Sequence, residues 1–247
     1  GMKICRADGG NARAFTCSYH GWAYNTAGEL VDVPHEKDGY YNELDKKAWG
    51  PVQVAKVDTY KGLIFATWDA KAPSLDAYLG EAKWYMDPFL DRMEGGTEVL
   101  GGVTKWVIGC NWKFAAEQFC SDMYHAPISH ISPTIAALPD GVPSSMAKWP
   151  DEGYQFRAHI GGHGTGFFSG SGPVPPIEER EDRLLLGLIG EHAGKFYSRE
   201  SREACRERHG DLRADRINAA HMTIFPTLSF LPGVQTLRAW HPRGPNE

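Results

Sequence analysis

Two sets of residues have the types and spacing to bind metal. The longer is the run from Asn111 to His130, in which Gln118, Asp122 and His125 stand at i, i+4 and i+7. That spacing predicts one helical face carrying all three. Pro127 is expected to end the helix, since it lacks an N–H and crowds the preceding turn. His130 can then swing back toward His125. Two neutral imidazoles meeting at one point, with a carboxylate close by, suit Fe(II) held by two His and one carboxylate with coordination positions left open. Taken singly, His125 and His130 read more readily as half-buried histidines and Asp122 as a solvated helix residue. The second set is Cys17-Ser18-Tyr19-His20, a thiolate and an imidazole three residues apart at the tip of a strand and turn. Such a pair can converge on one metal. Alone it is a common pattern whose generic occupant is zinc, but zinc takes four ligands and no second C-x-x-C or H-x-x-x-H pair lies nearby.

The elements that must position these residues divide near residue 72. Before it come short strands between turns: Arg13 to Cys17, Trp22 to Tyr24 and Glu29 to Val33 around Asn25-Thr26-Ala27-Gly28, then Val52 to Val57 and Leu63 to Trp68 joined through Lys61-Gly62. This all-β part is too short for a comfortable core and needs a staple. After it the pattern is mixed. An irregular helix is expected over Ser74 to Glu94 with Ser74 as N-cap, a strand over Val103 to Ile108, and a helix from about Trp112 to Tyr124. A loop rich in Pro, Gly and Ser spans Pro133 to Pro150, with a short helix at Thr134 to Leu138. Strands are expected at Phe156 to Ile160 and Gly166 to Ser169, and a charged, exposed helix at Ser198 to Arg208. A hairpin closes the chain, from Met222 to Leu231 and Thr236 to Trp240 about Pro232-Gly233.

The composition fits a packed α+β protein. Of 247 residues, 42% are hydrophobic and 12% aromatic, which excludes a disordered chain. A net charge of -5 with mixed signs gives no basic footprint for nucleic acid. No apolar run is long enough to span a membrane, and no secretory signal is visible. Five scattered cysteines make a poor disulfide framework and fit a reducing cytoplasm.

Phe15-Thr16-Cys17-Ser18-Tyr19-His20-Gly21-Trp22 resembles the second half of a Rieske motif, in which two Cys hold one iron of a [2Fe–2S] cluster and two His the other. The string N-W-K-x-x-x-E-x-x-x-x-D-x-x-H-x-x-x-x-H, from Asn111 to His130, resembles the catalytic-iron motif of the aromatic-ring-hydroxylating dioxygenase alpha subunits, closest to the biphenyl and toluene branch. The resemblance covers essentially the whole chain. It implies a partial Rieske all-β domain over 1–72 and, over 73–247, a partial helix-grip (START/Bet v 1-like) catalytic domain with an antiparallel sheet. Cys17 and His20 would bind the cluster, and His125 and His130 the mononuclear Fe(II). Asp122 would be the bridging carboxylate toward a Rieske histidine of a neighbouring subunit, and not the third iron ligand. Gln118, Phe119, Met123, Ala126, His221 and Leu231 would line the substrate pocket. The family's C-x-H would precede Gly1, and its acidic third iron ligand would follow the stretch matching His241 to Glu247. Cys5 matches a position that does not bind the cluster and is expected to serve packing. The implied activity adds both atoms of O2 to an aromatic hydrocarbon to give a cis-dihydrodiol. Electrons would come from NADH through a reductase and ferredoxin, in an alpha3 or alpha3beta3 oligomer.

Three other readings stand beside this one. A Rieske electron carrier is disfavoured by the second metal motif. A monooxygenase or demethylase of the same family would carry the same residues. The chain on its own could also hold neither metal. Gly161-Gly162-His163-Gly164-Thr165-Gly166 lacks the Lys-Ser/Thr of a phosphate loop and reads as close backbone packing. His35, His192 and His209 are expected in solvent.

Overall fold

A computed structural model describes residues 2–138, 140–147, 153–169 and 173–247; the end of the loop expected up to Pro150 lies outside these residues. The chain forms two compact units. One comprises residues 1–58, 64–72 and 102–104, the other residues 59–63, 73–101 and 105–247.

The first unit is built on a three-stranded antiparallel sheet of Ala14–Thr16 (β1), Ala23–Asn25 (β2) and Leu30–Asp32 (β3). Asn25 makes the β2–β3 turn, its side-chain oxygen accepting from the N–H groups of Ala27 and Glu29 at 2.9 Å each. This is the local bonding that suits Asn to turns. Lys56–Tyr60 (β4) and Leu63–Thr67 (β5) pair around Lys61 and Gly62, both at positive φ (48° and 83°), as a two-residue hairpin turn requires. Among the described residues the buried hydrophobics of the first unit are Ala23, Leu30 and Val33. A core that small agrees with the need for a staple. Cys5 is exposed, so it does not pack as expected.

The second unit carries a five-stranded antiparallel sheet in the order β10-β9-β8-β7-β6. Its strands are Gly153–Arg157 (β6), Gly164–Ser169 (β7), Ile217–Ile224 (β8), Leu228–Leu231 (β9) and Thr236–Ala239 (β10). Alternation along the strands separates its two faces. On one, Phe230 meets Phe89 at 5.5 Å between ring centroids and Phe156 stacks on Tyr85 at 4.5 Å. Both partners lie on the helix Lys83–Leu90 (α2), which follows Leu75–Leu79 (α1). Ser74 caps α1, accepting from Ala77 N–H. The other face presents Gly164, Gly166, His221, Thr223 and Ser229, and Lys113–Ser121 (α3) lies across it. Thr223 Oγ1 donates to Ala116 O at 2.8 Å. A Cβ on Gly164 would meet the Cys120 sulfur, and one on Gly166 would meet Met123. The glycine run is therefore the close packing that its composition suggested.

Three expectations change. Val103 to Ile108 forms no strand among the described residues, and Val103, Trp106 and Val107 are exposed; strand propensity yields a strand only where a ladder partner exists. Glu200–His209 (α8), which follows Arg183–Ile189 (α6) and Glu191–Ser198 (α7), is not solvated all round. Ser201 and Cys205 are buried, and Arg206 pairs with the buried carboxylate of Asp215 at 2.6 Å. His209 is part-buried, its Nε2 2.7 Å from Asp91 O. No described helix is long and apolar enough to cross a membrane.

His163, buried in the second unit, holds a single tautomer. Phe225 N–H donates to Nδ1 at 3.1 Å, so the proton sits on Nε2, which lies 2.8 Å from Tyr78 O. Burial pushes its pKa below the ordinary histidine value, outweighing the bond to Tyr78. The unfolded imidazole accepts a proton that the folded one refuses. The stability tied to His163 is thus complete above about pH 6.5 and declines as the pH falls toward the depressed value. Thermal melts between pH 7.5 and 5 should show this decline, and His163→Gln should have a measurably flatter profile; equal slopes would contradict the assignment.

Candidate functional site

The site begins where α3 stops. Asp122 has φ -80° and ψ 93°, extended backbone, so the helix does not run to Tyr124 and one helical face does not carry Gln118, Asp122 and His125. The reason is the Asp122 carboxylate. Its Oδ1 accepts from Tyr124 N–H at 3.0 Å and His125 N–H at 3.3 Å, a local alternative to helical bonding that Asp offers readily. Pro127 does not end a helix either. It occupies the first turn of Ala126–Ser129 (α4), where a missing N–H costs nothing. Ile131–Ala136 (α5) follows directly.

His125 is the N-cap of α4 and His130 its C-cap, so a short helix holds them five residues apart. Their Nε2 atoms stand 3.0 Å apart, with ring centroids 4.9 Å apart and planes at 70°. Two nitrogens at the usual ~2.1 Å from one metal ion, about a right angle apart, would be separated by about 3 Å. The pair therefore fits adjacent positions on a single ion. Gln118 Nε2 lies 3.5 Å from His125 Nε2. On the far side of the ring, His125 Nδ1 is 2.9 Å from Asp122 Oδ2, a close approach off the N–H axis that leaves Nδ1 poorly bonded. A carboxylate against the distal nitrogen is how metal-bound histidines are commonly oriented. Partial burial works to raise the Asp122 carboxyl, but its contacts with His125 and the N–H groups of Tyr124 and His125 prevail and hold it below the ordinary carboxylate value.

The remaining pocket candidates are placed unequally. Met123 and Ala126 are buried beside this turn, and Gln118 is exposed. Phe119 lies 6.4 Å from His221 and 5.8 Å from Trp240, ring to ring, with the Arg238 guanidinium over it at 4.8 Å. Leu231 ends β9, two residues beyond Ser229. A cleft of about 490 Å3 lies along another side of α3, lined by residues including Lys113, Glu117, Cys120 and Arg157, and includes none of the pocket candidates. Of the sequence-selected residues, Asp122, His125, His130 and Gln118 are brought together. What sequence reasoning missed is the bonding of His221, whose ring lies between two carbonyl oxygens at the end of α3. Its position on a strand carries no local signal of that.

Cys17 and His20 share a tight turn after β1, closed by Cys17 N–H to Trp22 O at 2.8 Å and Gly21 N–H to Cys17 O at 2.9 Å. Gly21 takes φ 79°, and a Cβ there would crowd Pro34. Cys17 is half-buried, and His20 is exposed with Tyr19 beside it, ring centroids 3.9 Å apart. A half-buried thiol next to an exposed imidazole fits one Cys and one His of a [2Fe–2S] ligand set. Among the described residues no group of three or more His, Cys, Asp or Glu forms a complete metal site.

The Asp122 turn yields a test of its own. Asp122→Ala should cost about 1 kcal/mol in urea unfolding through loss of the acceptor for the Tyr124 and His125 N–H groups, and Asp122→Asn, which keeps an acceptor oxygen, well under half of that. No loss in Asp122→Ala would show that this side chain does not organise the turn.

Residues 75–247 match the ring hydroxylating alpha subunit (catalytic domain) family, and residues 2–61 match the Rieske [2Fe-2S] domain. The biphenyl 2,3-dioxygenase alpha subunit of Rhodococcus jostii (strain RHA1) is 58% identical over all of this chain and 52% of its own length. The benzene 1,2-dioxygenase alpha subunit of Pseudomonas putida is 54% identical over all of this chain and 53% of its own. A structure of naphthalene 1,2-dioxygenase with indole in the active site superposes with a TM-score of 0.76 at 33% identity, covering 100% of this chain and 53% of that one. The chain thus spans about half the length of the curated relatives it matches. It belongs to the ring-hydroxylating alpha-subunit family, and its first part is a Rieske-type domain.

Proposed function

We propose that this chain is the central portion of a terminal oxygenase that adds both atoms of O2 to an aromatic hydrocarbon, giving a cis-dihydrodiol. The observation that carries the reading is the 3.0 Å approach of His125 Nε2 and His130 Nε2, with Asp122 against the opposite nitrogen of His125. Bound there, Fe(II) supplies oxygen activation, and a Rieske cluster supplies electrons. The two imidazoles would hold that ion, which would supply the oxygen chemistry. Asp122 orients His125, and its carboxylate is available to a Rieske histidine of a neighbouring subunit. Cys17 and His20 hold half of the cluster, the exposed His20 facing outward.

The divisions proposed are a Rieske part over 1–72 and a catalytic part over 73–247. Phe119, Met123, Ala126 and Leu231 provide apolar walls and Gln118 a polar group such a pocket uses; His221, proposed as a lining residue, contributes the edge of its ring, since both nitrogens face main-chain carbonyls. Relatives named for biphenyl and benzene support a small unfused arene as substrate. NADH through a reductase, a ferredoxin or both are the electron sources proposed, within a trimer of alpha subunits, with or without beta subunits. The unpaired cysteines support a cytoplasmic setting.

The test uses the full-length oxygenase containing this chain, supplied with electrons, labelled O2 and biphenyl or benzene. Both label atoms should appear in one diol. Asp122→Asn should lower turnover at least a hundredfold while iron per chain stays near the native value. Parallel loss of iron and activity would contradict the bridging role, and a singly labelled phenol would replace the dioxygenase reading with a monooxygenase.

A further inference from the structure

We infer that His221, seated in the space that Gly166 leaves open, is a positioning residue for the candidate iron site, fixing the backbone from which Asp122 and His125 project. The inference rests on the metal reading of His125 and His130, and adds how that pair is kept in place.

The last carbonyls of a helix have no partner within it. At the end of α3 two carbonyls three residues apart, those of Phe119 and Asp122, point at one imidazole. His221 Nδ1 lies 2.9 Å from Phe119 O and Nε2 lies 2.8 Å from Asp122 O. The ring is 6% exposed, so water does not replace these contacts freely. His221 stands on β8, a strand laddered to β7 on one side and β9 on the other. A neutral imidazole donates to one of these carbonyls and packs against the other, so a rigid central strand holds the segment in which the helix breaks at both ends. Asp122 is held from two directions. Its carbonyl is tied to the sheet through His221, and its carboxylate accepts from the next N–H groups and abuts His125. A shift of the carbonyl would carry the carboxylate, and with it the orientation of the His125 ring.

Gly166 is the residue opposite His221 in the β7–β8 register, next to an irregularity between Gly166 and Phe167. A Cβ at Gly166 would overlap both Met123 Sδ and the His221 imidazole. The missing side chain is what allows the ring and Met123, the residue following Asp122, to lie over β7 together. Its φ lies outside the left-handed region, so the constraint is space and not backbone conformation.

Amide hydrogen exchange on the metal-free chain tests the brace, comparing native, His221→Leu, His221→Gln and Gly166→Ala. Leu keeps the volume and removes the ring nitrogens with their one N–H donor, whereas Gln can still donate to one carbonyl. Exchange over residues 121–126 should rise about tenfold in His221→Leu and Gly166→Ala, and less in His221→Gln, while the β7, β8 and β9 ladders keep their protection. Unchanged exchange over 121–126, or equal loosening of the ladders, would overturn the proposal and leave His221 as ordinary packing. Co(II) absorption titrations on the same proteins, with His125→Ala/His130→Ala as control, judge the metal reading separately. If native chain binds Co(II) and the control does not, His221→Leu should bind at least tenfold more weakly, and native-like affinity would overturn the inference. If native chain takes up no Co(II), the two imidazoles alone do not hold an ion, iron content of the full-length oxygenase judges the metal reading, and the exchange data alone decide the brace.

Discussion

The carboxylate of Asp122 takes up the N–H groups of Tyr124 and His125, which a continuing helix would have bonded to carbonyls one turn back. Had α3 continued, His125 would sit about seven residues further along a straight cylinder from Gln118, and His130 would project to another side of it. The break resets the chain direction. α4 then begins afresh at His125, with His130 at its far end and the two Nε2 atoms 3.0 Å apart. One competition between side-chain and main-chain acceptors thus sets where α3 stops and where the segment carrying both imidazoles begins.

A broken helix end is a liability unless something else bonds it, and the sheet supplies that support. Gly164 and Gly166 clear one face so that α3 can lie directly on β7 and β8, and Thr223 and His221 bond its carbonyls. The opposite face is filled by Phe156, Phe230 and the aromatic residues of α2. The polar, glycine-bearing face holds the site while the aromatic face holds the fold. The site can therefore carry buried hydrogen-bonding groups such as Thr223 and His221 without loosening the core, because their polar atoms meet main-chain carbonyls.

The juxtaposition of the candidate pairs was legible in the sequence because each is local: Cys17 and His20 lie three residues apart, and His125 and His130 five, so spacing and residue type suffice. The glycine run before β7 was legible as packing because it lacked the chemistry of a phosphate loop. The end of α3 was not. The spacing of Gln118, Asp122 and His125 is helical, and periodicity cannot register that an aspartate at the fourth position will bond the main chain instead. Nor could it register His221, which meets Phe119 and Asp122 only through the strand register of the sheet. Val103 to Ile108 shows the converse failure, a run with strand residues and no strand to pair with among the described residues. On α8, the burial of Cys205 and the pairing of Arg206 with Asp215, which lies beyond the end of the helix, were concealed by the surrounding charge.

If His125 and His130 serve one ion, they must act as a unit, and units are non-additive. Bound iron per chain, measured in the whole oxygenase for His125→Ala, His130→Ala and the double variant, tests this most directly. The account predicts that either single substitution removes as much iron as both together. Iron retained in full by either single variant, or losses that add as independent sites would, contradicts it.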